Sequence, residues 1–202
     1  VPRIAEVRLP AQPNSPQQQE RVNRILRAAA RQGAAHGLER VQMQEIAKES
    51  GVAIATLYRY FPSKMHLFTG VMRMQIGRIG AEVSQPADGT DPVDAVTDLM
   101  LAATKRMLDS PKLAHAMMTS NNAAFHATEA GAHETHLAFK GLILRAARIA
   151  EPTPRDEQLV RLIEQSWFGA LNSALNGRTT REESEDDIRL SCRLLLPAWS
   201  ER

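Results

Sequence analysis

The chain has 202 residues, enough for one or two domains, and its 57 Ala, Leu and Met against 31 Val, Ile and Thr favour helices over sheet. A single cysteine, Cys192, excludes an internal disulfide framework and a cysteine-based zinc site. No apolar run approaches the roughly 18–20 residues of a membrane span. The net charge of +2 is unevenly spread: residues 1–83 carry 12 Lys/Arg against 6 Asp/Glu, and residues 84–202 carry 13 against 17, so the basic end is the one suited to a polyanion.

Residues 1–14 hold Pro2, Pro10 and Pro13 and read as an extended arm. Arg3 and Arg8 allow a second reading, a tail that seeks a nucleic-acid groove. One start signal then recurs. Ser15-Pro16, Asp91-Pro92, Ser110-Pro111 and Thr153-Pro154 each set a capping side chain before a proline. The cap oxygen accepts an otherwise unpaired N–H, and proline at the first helical position has none to lose. Ser15 with Gln18, and Thr180 with Glu183, have the spacing of a reciprocal capping box. Stops fall at Gly37, Gly51, Pro62, Pro86, Pro152, Asn176-Gly177 and Pro197. Nine helices are predicted, over 16–36, 42–49, 53–60, 63–84, 92–109, 111–118, 121–150, 154–176 and 181–196. Gly131 and Gly141 weaken the seventh.

In the first helix Val22, Ile25, Leu26, Ala29 and Gly33 share one stripe, and Met43, Ile46 and Ala47 do so in the second. Gly51 suits a sharp turn into a third helix that keeps Leu57 and Phe61 for the core. Ile54, Ala55, Thr56, Tyr58 and Arg59 then face outward or sideways. A short helix, a glycine turn and another short helix make a helix-turn-helix, whose second helix enters the major groove of DNA.

Ile25-Leu26-Arg27-Ala28-Ala29, Gly37-Leu38, Ile46-Ala47, Gly51-Val52 and the run Thr56-Leu57-Tyr58-Arg59-Tyr60-Phe61-Pro62-Ser63-Lys64 resemble the amino-terminal signature of TetR-family transcriptional repressors. The resemblance covers about residues 20–70. It implies an all-α, nine-helix fold in which an arm (1–14) precedes a DNA-binding domain (15–62) and a ligand-binding and dimerisation domain (63–202). It also implies that Gln44, Ile54, Ala55, Thr56 and Tyr58 lie near base edges, while Tyr60 and Lys64 touch phosphates. Tyr58 has two readings, because its ring can pack while its hydroxyl reaches out. Gln44 has the chemistry to pair with an adenine edge, and Ile54 and Ala55 offer only apolar surface. Gln42 and Ala53 stand where the family often has Ser or Thr, so those two helices should start without a side-chain cap.

The last two predicted helices carry apolar residues at three- and four-residue steps, from Leu159 to Leu175 and from Ile188 to Trp199. They would suit the cap of a monomer core, but the resemblance implies that they pair with their two-fold mates in a homodimer. Cys192 reads as a small buried apolar residue. Leu99, Met100, Ala103, Met107, Met117 and Met118 give the middle helices an adaptable apolar character, continued by Phe125, Phe139 and Ile143 and by Trp167 of the eighth helix. The resemblance implies an effector cavity there. A large, mainly apolar ligand is expected, because no buried carboxylate or base cluster is legible. Arg106, Lys112, Arg145 and Arg148 are candidates to hold an anionic end at its mouth.

Val41-Gln42-Met43, Val52-Ala53 and Thr56–Lys64 followed by His66-Leu67 look like the KstR-type branch, actinobacterial repressors of cholesterol and steroid catabolism. That likeness implies a steroid or acyl-CoA thioester as effector. A regulator of efflux genes sensing drug-like compounds is the alternative. His126, Glu129, His133, Glu134 and His136 allow a third, metal-responsive reading, although His133 and His136 are one residue too close for the His-Glu-x-x-His metalloprotease pattern. No phosphate loop and no nucleophile with a supporting base is present, so neither an enzyme nor a cofactor is expected. The expected partners are an operator in double-stranded DNA, an apolar effector and a second copy of the chain, all in the cytoplasm and none in a membrane.

Overall fold

The computed structural model describes residues 10–82, 89–126 and 130–200. Arg3, Arg8, Glu129 and the end of the segment predicted to reach residue 84 lie outside them. Ten helices are present among the described residues: α1 (Pro16–Arg40), α2 (Met43–Ser50), α3 (Ile54–Tyr60), α4 (Lys64–Glu82), α5 (Pro92–Leu108), α6 (Pro111–His126), α7 (Ala130–Ala146), α8 (Pro154–Leu175), α9 (Arg181–Leu195) and the single turn α10 (Pro197–Ser200).

The caps explain most of these limits. Ser15 accepts from the Gln18 N–H, although Gln18 reaches back to Asn14 rather than to Ser15. Asp91 accepts from Val93 and Asp94, and Thr180 forms its capping box with Glu183. Thr153 forms another with Asp156, unread in the sequence. Asp156 is fully buried and also accepts from the Trp199 indole at 2.8 Å, which pins α10 to the start of α8. Gln42 and Ala53 make no side-chain cap, as expected. Gly37 breaks α1 with φ 73°.

Three boundaries differ from the sequence reading. The predicted gap at 119–120 does not exist: Ser120 and Asn121 are buried, no glycine or proline interrupts 112–126, and α6 runs on to His126. The predicted helix 121–150 is therefore the end of α6 and a separate α7. That helix stops four residues early, because Arg148 adopts φ 57° and lets Ile149 donate to Leu144 at 2.9 Å. This is the cap normally built on glycine, as Gly177 builds it after α8. Pro197 ends α9, as read, and also opens α10, a turn the sequence reading did not include, where a missing N–H costs nothing.

The helices pack as a small head, α1–α3, on a larger body. α4 leaves the head and runs into the body, and α6 packs against both α1 and α4. The approach is close at Gly33 of α1, where a Cβ would lie 2.6 Å from the Phe68 ring of α4 and 3.0 Å from Leu113 of α6. Lys112 adds a 3.0 Å bond to the Ala35 carbonyl. α8 pairs with α9, α9 lies on α5, and α7 crosses α4. Among the described residues no helix is long and apolar enough to cross a membrane.

Candidate functional site

The head presents one polar face. Gly51, at φ 66°, ends α2 with the same left-handed cap, Val52 donating to Ala47 at 3.0 Å, and turns the chain into α3. Leu57, Tyr60 and Phe61 are buried, so α3 turns Ile54, Ala55, Tyr58 and Arg59 outward, with Thr56 half-buried beside them. Gln44 is exposed on α2. Across the other side of α2, Glu49 accepts from Arg31 (2.5 Å) and Gln32 (2.7 Å) of α1. The Gln32 bond and the Arg31 guanidinium hold its carboxyl below the usual range.

Two of the residues assigned to phosphate contact are engaged within the head. The Tyr60 ring is buried, and its hydroxyl accepts from Arg59 at 2.8 Å, with the guanidinium 4.7 Å from the ring centre. Arg59, which sequence reasoning left without a role, is the exposed charge of this pair. Lys64, the first residue of α4, donates to the Leu38 and Glu39 carbonyls at 3.4 and 3.2 Å. These carbonyls end α1, where the helix dipole favours a cation. At the same end of α3, the Ala11 N–H donates to the Arg59 carbonyl at 3.0 Å, so the described part of the arm lies beside the helix.

The body holds a cavity of about 430 Å³ whose wall is drawn from α4, α5, α6, α7 and α8. Ala103, Met107, Met117, Met118, Phe125, Phe139 and Trp167 line it, seven of the ten residues proposed from sequence. Leu99, Met100 and Ile143 do not, lying instead in the packed core at 2% exposure or less. Met72, Ile76, Ile79 and Phe168 complete the apolar wall. Trp167 tilts against Phe139 with ring centres 5.0 Å apart, and its indole donates to Thr104 at 2.9 Å. Both contacts fix the ring at the cavity surface.

The cavity also has a polar wall that the sequence reading missed: Gln75, Asn121, Asn122, Thr135, His136, Arg161, Glu164 and Gln165. This corrects the expectation that no carboxylate is buried here. Glu164 sits 3.2 Å from His136 Nδ1, with its side chain only 15% exposed. Burial pushes the Glu164 carboxyl up to about 7, against the opposing pull of Lys140. Burial, then Lys140, His133 and Arg161, lowers His136. Both shifts favour the neutral forms, so the 3.2 Å contact is weaker than a full ion pair. The signal was in the spacing: Glu164 falls on the stripe Val160, Glu164, Trp167, Leu171, where an apolar residue is the norm.

Of the four cations proposed for the mouth, Arg106 bonds to the cavity residue Gln75 at 3.1 Å and pairs with Glu82. Lys112 serves the α1 carbonyl, Arg148 forms the cap after α7, and Arg145 is not on the wall; Arg161 is. The histidine-rich stretch disperses. His136 enters the cavity, His126 and His133 are exposed, and Glu134 pairs with Arg73. Among the described residues no group of three His, Cys, Asp or Glu comes together at metal-binding distance. Cys192 is buried, and burial raises its thiol.

Comparison with known proteins gives concordant results for both parts. Residues 25–71 match the family described as "Bacterial regulatory proteins, tetR family", and residues 89–195 match "Tetracyclin repressor-like, C-terminal domain". The HTH-type transcriptional repressor KstR of Rhodococcus jostii is 31% identical over 185 residues, spanning 92% of this chain and 87% of the relative. A TetR transcriptional regulator from Rhodococcus sp. RHA1 superposes with a TM-score of 0.84 at 44% identity, over 90% of this chain and 98% of that one. Thermus thermophilus FadR, solved in complex with lauroyl-CoA, shares the fold at a TM-score of 0.66 and 19% identity, over 87% and 93% of the two chains.

Proposed function

This chain belongs to the TetR family of bacterial regulatory proteins, and we propose that it represses transcription by binding a palindromic operator as a homodimer, released by an apolar effector in the body cavity. The head is residues 15–62 and the effector and dimerisation domain 63–202. One observation carries this reading: two of the helices that line the cavity also pack against the head. α4 lines the cavity with Met72, Gln75, Ile76 and Ile79, and its other end carries Phe68 against Gly33 and Lys64 against the end of α1. α6 lines it with Met117, Met118 and Phe125, and its first turns hold Leu113 and Lys112 against α1. A ligand that pushes these two helices apart moves the head. A rigid dimer reading half-sites about 34–36 Å apart loses register when its heads move.

For the dimer, α8 and α9 leave apolar side chains uncovered. Leu190 and Leu194 are 49% and 69% exposed one turn apart, Leu162 is 38% exposed, and a Cβ at Gly169 would meet open space. A second copy of the same pair would cover them. For DNA, Gln44, Ile54, Ala55, Thr56 and Tyr58 take the base edges. Lys64 and the Arg59–Tyr60 pair take phosphates. The effector class that the KstR relatives favour is a steroid or an acyl-CoA thioester, its apolar part among the methionines and aromatics and its charged part beyond Arg161. The test is selection of bound genomic fragments at two salt concentrations. One palindrome retained at the higher salt, beside lipid- or steroid-degrading genes, supports the reading; efflux genes at that site would move the effector to drug-like compounds. No enriched sequence would overturn the operator assignment.

A further inference from the structure

The cavity wall contains two acceptor atoms with no hydrogen-bond partner, Glu164 Oε1 and Asn121 Oδ1, both fully buried and on different helices. A buried acceptor left unpaired is costly, and a wall that holds two is matched by a ligand bringing its own donors. Glu164 Oε2 lies 3.2 Å from His136 Nδ1, and Oε1 is the carboxyl oxygen left without a partner, which a ligand reaches by a small shift of the side chain.

Two kinds of donor fit an unpaired carboxyl oxygen, a hydroxyl or an ammonium. The surroundings decide between them. From α7, Lys140 and His133 act on this corner together with His136, and from α8 itself Arg161 lines the wall. α4, α5 and α6 turn only neutral side chains to the cavity, among them Gln75 and Asn121. Lys140 is paired with Glu157 at 2.5 Å, so the cation turned to the cavity is Arg161, and a cationic ligand meets its repulsion where a neutral hydroxyl does not. We propose that the effector is an apolar molecule bearing a neutral hydroxyl that donates to Glu164 Oε1, with Asn121 available to a second polar group. The proposal rests on the cavity being the effector site. Glu164 then separates hydroxylated lipids from their deoxy counterparts, because only the former satisfy the acceptor.

The pair also makes this preference depend on pH. Below about pH 7 the carboxyl is protonated and offers the ligand a neutral acceptor; above it, the carboxylate offers a stronger one.

The experiment titrates two matched pairs, dodecanoate with ω-hydroxydodecanoate and cholanate with lithocholate, and ω-aminododecanoate as the cation, into the full chain. The heat of binding by titration calorimetry is the readout, and Ala103→Trp is the blocked-cavity control. The expected result is that at least one hydroxylated member binds about tenfold more tightly than its deoxy partner. The preference should grow between pH 6 and 8, vanish in Glu164→Leu, and persist without its pH dependence in Glu164→Gln. Equal binding within both pairs, abolished by Ala103→Trp, would leave the cavity as effector site and overturn the hydroxyl assignment. Tightest binding by the amine would overturn it in favour of a cation site. Binding of every probe absent, or untouched by Ala103→Trp, would overturn the cavity reading and the hydroxyl with it.

Discussion

The head and the cavity place their polar groups by opposite rules. In the head, Gln44, Tyr58 and Arg59 face solvent, and the fold only has to hold a surface in shape. Its spacing comes from two short helices and one glycine turn within 18 residues, Met43 to Tyr60. In the cavity, Glu164 and Asn121 are withdrawn from water, and five helices spread from Lys64 to Leu175 must converge to bury them. A solvated charge is held at little energetic cost, and a buried one is held against its own desolvation. The first kind of site tolerates change around it and fails by losing its ligand; the second couples ligand, proton and stability.

The largest effect that tests this contrast is at Glu164. Its folded value of about 7 lies above the ordinary 4.5, so between those values the native state binds more protons than the unfolded one. Stability from this group is fully present below about pH 4.5 and is lost as pH rises through 7. Glu164→Gln removes that dependence. The variant should therefore gain on the parent across this window, by roughly 3 kcal/mol at pH 8, in denaturant unfolding followed at several pH values. Parallel stability curves for the two proteins would show that the cavity does not withdraw this carboxyl from water.

Next come the DNA-facing residues. Gln44→Ala should weaken the operator complex by about 1–3 kcal/mol and non-specific binding little. Lys64→Ala should weaken both by a similar factor and lower the salt slope by about 0.9. Lys64 also holds the end of α1, so the salt slope is the diagnostic quantity; an unchanged slope with a lower melting temperature would make it purely structural. The joint between the two regions is tested at Gly33. Alanine there forces the Phe68 ring and Leu113 aside, and about 1–3 kcal/mol of stability should be lost despite the better helix propensity of alanine. A neutral result would mean that α1, α4 and α6 are not tightly keyed.

What was legible follows the same division. The helix starts at Pro16, Pro92, Pro154 and Arg181 and the stops at Gly51 and Gly177 were readable because caps are local chemistry. The stop at Arg148 was not, because arginine in a left-handed position carries no compositional mark. The outward face of α3 was readable from Leu57 and Phe61. Tyr60 was only partly legible: its place in a basic run suggested a phosphate contact, and only the packed head shows its ring turned in and its hydroxyl held by Arg59. For the cavity, the methionines and aromatics announced an adaptable apolar wall. Its polar corner joins His136 to Glu164 across 28 residues, and a single chain gives no sign of which surface-type residues such a junction will bury.

The smallest effect asks whether the head can be strengthened without touching the cavity. α3 begins at Ile54 with Ala53 in the cap position, extended at φ −65° and ψ 142° and making no side-chain bond. Serine fits that backbone and supplies an oxygen for an N–H at the start of the helix, so Ala53→Ser should stabilise the head by about 1 kcal/mol. Ala53 is exposed and lies on no cavity wall. Effector affinity and the pH dependence set by Glu164 should therefore stay unchanged while hydrogen exchange in α3 slows about fivefold, a contrast that exchange and ligand titration on one sample will read directly. A change in effector affinity would show that the cap at α3 is felt through α4, and that head and cavity are one cooperative unit rather than two regions joined at Gly33.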